Sequence, residues 1–188
     1  MNLGRYKQTL KRKATTRSIL VLSGLVILFM GALFPSLTER LRVLSGGGVL
    51  LDTQFYYPPE RAVEMISTYG DEGRTFYLWI LLSADLLFPL VYGTLLVMLL
   101  AKAAVRLSSR FDWLEHLLWL PVFPVLLDYG ENAAIGFLLW GYPNVSNLLA
   151  TQASFFTVVK WSSLLAICLL IAASWLAILM DSFHQKRR

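Results

Sequence analysis

The sequence predicts an all-α fold, a four-helix bundle crossing a membrane, and three observations predict it. The 188 residues are 56% hydrophobic, with a mean hydropathy of +0.58, whereas a soluble domain is typically ~45–50% apolar. The excess is gathered in four runs, each near or above the ~20 residues a bilayer demands. Basic residues flank those runs instead of forming a stripe. For a chain of net charge +5, that argues for membrane topology and against nucleic acid as a partner. Six Trp, eight Tyr and eleven Phe suit aromatic belts at a membrane interface. One polytopic membrane domain over residues 1–188 is the natural partition.

The first span covers about residues 18–35, and helix can continue through Ser36–Leu44. Its apolar core outruns a signal-peptide h-region and no A-x-A site follows, so an uncleaved anchor is expected. Residues 36–74 are too long for a plain connector. Gly46–Gly48 marks a flexible break. Pro58 and Pro59 then open a helical pattern, in which Ala62, Met65, Ile66 and Tyr69 share a face and Gly70 can stop the helix. The expectation is a short amphipathic helix resting on lipid headgroups, in preference to a lid. The second span, about 75–101, contains Pro89. The third, about 113–140, contains Pro121 and Pro124. The fourth, about 154–180, has no proline. An interior proline removes a backbone hydrogen bond and kinks the helix. Beside an acid such a kink can open a cavity, although membrane helices also simply tolerate proline. No internal repeat is visible, which leaves an inverted-repeat transporter without support.

Twelve of the 17 basic residues fall on one side of this topology. They are Arg5, Lys7, Lys11, Arg12, Lys13 and Arg17, then Lys102, Arg106 and Arg110, then Lys186, Arg187 and Arg188. Both termini are therefore expected in the cytoplasm, with the protein in the inner or plasma membrane of a bacterium. The expected partners are membrane lipids, and further copies of the chain or a larger membrane complex.

Inside the apolar runs sit three carboxylates, Asp85, Asp128 and Glu131. A charge near the bilayer centre costs at least ~2.5–3.5 kcal/mol, and such residues mark function by default. With a rise of ~1.5 Å per residue, Asp85 lies ~15 Å below the outer end of the second span. Asp128 and Glu131 lie ~18 and ~14 Å below the outer end of the third, and Lys160 ~9 Å below that of the fourth. Asp128, Glu131 and Asn132, spaced i, i+3, i+4, share one helix face, and Tyr92 follows Asp85 by two turns. A polar stripe in lipid turns toward the bundle interior. The expected site is thus an acidic pocket open to the outer side, built from Asp85, Asp128, Glu131, Asn132 and Tyr92, with Lys160 and Arg74 as available counter-charges. The alternative is a polar network that holds helices together, worth ~0.6–2 kcal/mol per interaction.

The chemistry such a site can do is bounded by what surrounds it. Cys168 stands alone, so neither an intramolecular disulfide nor a cysteine zinc site can form. His116 and His184 map to the cytoplasmic ends of their spans, which argues against a transition metal at the acids, and no resident metal is expected. Oxygen ligands would suit only hard cations. No G-x-S-x-G nucleophile motif occurs, and no motif implies a cofactor. Two neighbouring buried carboxyls could instead serve as an acid and a base, as a proton relay, or as the partner of a cationic amphiphile.

The stretch Leu51–Tyr92 contains LDTQFYYPPERAV and then GDEGRTFYLWILLSADLLFPLVYG. It resembles a family of uncharacterised bacterial four-span integral membrane proteins. It is also similar to the EXPERA group of sterol isomerases and the sigma-2 receptor. The likeness rests on Tyr57-Pro58, Asp85, Phe88-Pro89 and Tyr92. It implies sterol-like or cationic amphiphilic ligands held by intramembrane carboxylates, with Asp85 as a ligand-pairing or catalytic acid. Three readings stand open: a binding protein or isomerase-type enzyme for a lipid, sterol-like or cationic molecule; a proton- or cation-coupled transporter or channel, as an oligomer; and an accessory subunit of a larger complex.

Overall fold

The computed structural model describes residues 14–107 and 111–186. Most of the N-terminal basic cluster, with Arg110, Arg187 and Arg188, lies outside them. Every regular element among the described residues is helical, and four helices are long and apolar enough to cross a membrane. The chain is an all-α integral membrane protein. Helix α1 runs Thr16–Leu44, α2 Pro59–Thr68, α3 Gly70–Leu107, α4 Val122–Gly141 and α5 Asn147–Lys186.

Helix α1 starts at the Thr15 cap, whose hydroxyl accepts from the Ser18 N–H at 3.1 Å. It continues past Pro35, as Ser36–Leu44 allowed. One wide π turn, Phe29–Leu33, interrupts it. The residues that face the bundle are Ile19, Leu22, Val26 and Phe29, then Phe34, Leu37 and Leu41. In an unbroken α-helix Phe34, five positions on, would point about 140° away from Phe29. The wide turn returns it to the same face, and the two rings lie 5.8 Å apart. Helix α1 is nonetheless peripheral: none of its most apolar window is buried, against 56% for the windows of α3 and α4.

Helix α2 differs from expectation in what it rests on. Ala62, Met65, Ile66 and Tyr69 are all buried in protein, within an apolar core that also holds Leu41, Tyr77, Ile135 and Ala153. The helix caps the bundle instead of lying on headgroups, because its apolar face meets the ends of α3, α4 and α5. This end is called the capped end below. Burial pushes the Tyr57 and Tyr69 phenols well above their ordinary value. Tyr69 donates to the Val49 carbonyl at 2.6 Å. Gly70, at φ +65°, makes the left-handed turn between α2 and α3.

Helix α3 breaks at Ser83 (φ −120°, ψ −83°), on the N-terminal side of Pro89, where a proline strains the preceding turn. The third span begins as a 3-10 segment, Asp112–Leu117. True α-helix starts only at Val122, one residue after Pro121, a position at which proline's lost N–H costs nothing. A second apolar core joins Leu96, Leu100, Leu118, Ile167 and Ile171 toward the opposite end.

Candidate functional site

Between the two apolar cores lies a layer of polar side chains. On α3 it falls between Leu81 and Tyr92, on α4 between Val125 and Ala134, on α5 between Ala153 and Ile167. Small residues let the helices close on it. A Cβ at Gly93 would collide with Val125 of α4, and one at Gly130 would press on the Phe156 ring of α5 at 3.3 Å.

The centre of the layer is Lys160, only 5% exposed. Its ammonium lies 3.2 Å from Asp128 Oδ1 and pairs with Glu131 Oε2. The outer oxygens of both acids are also satisfied. Thr157 donates its hydroxyl to Glu131 Oε1. Tyr92 donates to Asp128 Oδ2 at 2.9 Å, with the Pro124 carbonyl 3.3 Å away. Asp128 and Glu131 can face one ammonium because the i, i+3 spacing puts them on one side of α4. Charge-assisted bonds of this kind are the strong ones, and in lipid they replace a hydration shell that is lost altogether.

Asp85 is different. It is buried, and among the described residues it has no ion pair and its Oδ2 has no hydrogen-bond partner. The charged groups around it are Asp52, Asp128, Lys160 and Glu131. Its backbone is better served. Pro89 lacks the N–H that would normally bond the carbonyl of residue 85, and Asn132 Nδ2 donates to that carbonyl at 3.2 Å. This uses one end of the Asn132 amide and leaves its Oδ1 without a partner among the described residues. Two buried acceptors, Asp85 Oδ2 and Asn132 Oδ1, thus lack donors where α3 meets α4.

The structure brings together Asp85, Tyr92, Asp128, Glu131, Asn132 and Lys160. It does not bring Arg74 to them. That guanidinium pairs with Asp71, donates to the Ile66 carbonyl at 3.2 Å and lies 3.9 Å from the centre of the Tyr142 ring. It fastens α2 to α3 at the capped end. Nor is the layer open to that end. Tyr57, 1% exposed, sits over Thr157, with its N–H bonded to Ser154 Oγ at 3.2 Å. A cavity of about 420 Å³ does lie at the capped end, but Leu44, Glu72, Phe76 and Trp79 line it, and no carboxylate of the layer does.

Sequence reasoning missed Thr157 and Asp52, and it noted Tyr57 only as part of the Tyr57-Pro58 likeness, not as a residue of the site. Thr157 had a signal, since Ser154, Thr157 and Lys160 repeat at intervals of three on an otherwise apolar helix. Asp52 and Tyr57 had none, because their place depends on how the 45–58 segment folds back. There Tyr77 donates to Asp52 Oδ1 at 2.7 Å and accepts from the Leu51 N–H at 2.9 Å. Among the described residues no cluster of three or more His, Cys, Asp or Glu side chains is arranged to hold a metal ion. No family model matches this chain, and neither does any curated protein or solved structure, so the likenesses drawn from residues 51–92 find no support there.

Proposed function

We propose that this integral membrane protein holds the protonated amine of a lipid-soluble molecule at Asp85. The observation that carries the reading is the pair of donorless acceptors, Asp85 Oδ2 and Asn132 Oδ1, beside an ammonium already shared by Asp128 and Glu131. A buried carboxylate without a partner is among the costliest groups a membrane protein can keep. A primary or secondary ammonium supplies both the missing charge and the missing N–H donors. A quaternary ammonium supplies only the charge. Isomerase-type chemistry on a lipid or sterol-like substrate would use the same site with Asp85 in its protonated form, as the acid.

Thermal unfolding of the purified protein in detergent, with decylamine as probe, tests this. Decylamine should raise the Tm of the wild type, while decanol and decyltrimethylammonium should not. Ligand at a hundred times its Kd adds about 2.7 kcal/mol to stability. Asp85→Asn should fold and lose the shift. An equal shift with decanol, or an undiminished one in Asp85→Asn, would sink the reading.

Proton- or cation-coupled transport is the second reading. It is favoured by the unbroken file Thr157, Glu131, Lys160, Asp128 and Tyr92. Such files of ionisable groups act as proton relays in membranes. Acidification of dye-loaded liposomes that Glu131→Gln abolishes would favour transport over binding alone.

A further inference from the structure

The layer is covered at the capped end by Tyr57 and sealed from the opposite end by the second apolar core. A molecule that reaches Asp85 must come from the side. Asp85 is 6% exposed, yet the adjacent Leu86 and Leu87 are 49% and 55% exposed.

Asp85, Phe88 and Tyr92 follow one another at i, i+3, i+7, on one face of that helix. The Phe88 ring is held on three sides. It stacks on Phe29 at 5.3 Å, meets Phe34 edge-on at 5.1 Å and meets Tyr92 at 5.2 Å. Phe29 and Phe34 both come from α1, and only the π turn puts them on one face. Such turns inside α-helices occur frequently at functional sites.

Helix α1 is also the least buried of the four spanning helices. Its contact stripe is half-buried down to Leu41, and a Cβ added at Gly24 or Gly31 would meet nothing within 4 Å. In lipid, apolar helix contacts have no hydrophobic driving force behind them. Parting α1 from α3 beside Phe88 therefore costs mainly the ring contacts, while Lys102 Nζ on Thr16 Oγ1 at 2.7 Å and Arg40 over the Phe76 ring hold the two helices together toward their ends. On the α3 side the chain is already broken at Ser83, and Pro89 inside the helix removes one backbone hydrogen bond, so Phe88 sits between two weak points of its helix.

We infer that the α1–α3 seam closed by Phe29, Phe34 and Phe88 is a lateral gate through which an amine passes from the bilayer to Asp85. This rests on the amine-binding reading above.

The test uses a Phe34→Cys, Phe88→Cys variant in a Cys168→Ser background, reconstituted in lipid nanodiscs, with decylamine association followed by stopped-flow. Joining the two thiols with a short reducible bifunctional reagent should slow association at least tenfold, and reduction should restore it. Phe88→Ala, which thins the gate without a cross-link, should speed association and dissociation alike and leave Kd within a few-fold. Rates unchanged by the cross-link, together with unchanged rates in Phe88→Ala, overturn the gate while leaving the Asp85 site intact. Failure of the wild-type protein to bind decylamine overturns the site, and the gate falls with it.

Discussion

Lys160 is the residue on which the buried charges depend. Replacing it with Met leaves Asp128 and Glu131 facing each other in a layer that water does not reach. Breaking a buried pair by removing one partner costs about 3–5 kcal/mol, and a loss of that size is expected in chemical unfolding of Lys160→Met. Adding Glu131→Gln to it should recover part of the loss, because one of the stranded carboxylates is gone. A single-mutant cost below about 1 kcal/mol, the scale of an exposed pair, would show that Lys160 is not the counter-ion. The tyrosines of the capped end carry a pH signature of the opposite sign to acid denaturation. Tyr57 and Tyr69 have phenols raised by burial above an ordinary value of 10.0. The unfolded chain ionises near that value while the folded chain stays protonated. Their contribution is complete below it and lost as the pH climbs beyond it. Thermal unfolding followed from pH 8 to 11 should show falling stability above about pH 10, and Tyr69→Phe should flatten the fall.

At the scale of elements, the bond between α3 and α4 has a cause that can be tested by removing it. Asn132 serves the Asp85 carbonyl that Pro89 leaves open. In wild type, Asn132→Leu should cost about 0.6–2 kcal/mol, the range for polar contacts between membrane helices. In a Pro89→Ala background residue 89 regains its N–H and bonds the carbonyl within the helix, so the same change should cost less. A double-mutant cycle reads the difference directly, and strict additivity would deny the link. Proline and asparagine lie 43 residues apart in the chain, and nothing in either local pattern ties them together. The pairing exists because α3 and α4 run side by side with a glycine, Gly93, against Val125.

For the whole molecule, the four apolar runs and their helices were legible because hydropathy alone distinguishes a bilayer-spanning run. The similar depth of Asp85, Asp128 and Glu131 was legible because helix rise is constant, whereas Lys160 was placed too near the surface because its helix begins at Asn147 and not near residue 154. Legibility ended where the chain leaves a helix. For the 45–58 segment the sequence showed a break at Gly46–Gly48 and a helix start at Pro58 but not its path, which delivers Tyr57 over Thr157 and Asp52 to Tyr77. Arg74 was read as a counter-charge because sequence gives the sign of a side chain without its reach, and nearer partners claimed it. The wide turn of α1 had no sequence signal, since Met30-Gly31-Ala32 fits a plain helix as well. Orientation is open to experiment. Four spans would return both termini to one side, and the count of basic residues predicts that this side is the cytoplasm. Single cysteines placed near each terminus in a Cys168→Ser background should both be shielded from a membrane-impermeant thiol reagent in intact cells and both react after lysis. Opposite labelling of the two ends would break the four-span topology.

The charge layer has a mechanical consequence. Lipid tails are as apolar as leucine, so leucine-lined helices in a bilayer can slide along their axes past one another at little cost. A slide of one helical turn, 5.4 Å, would carry Lys160 away from both of its acids and strand three charges in hydrocarbon. The layer acts as a pin through the stack. Helix α1, which the pin does not pass through, is held along its axis only by the Lys102–Thr16 bond and the Arg40–Phe76 contact toward its two ends.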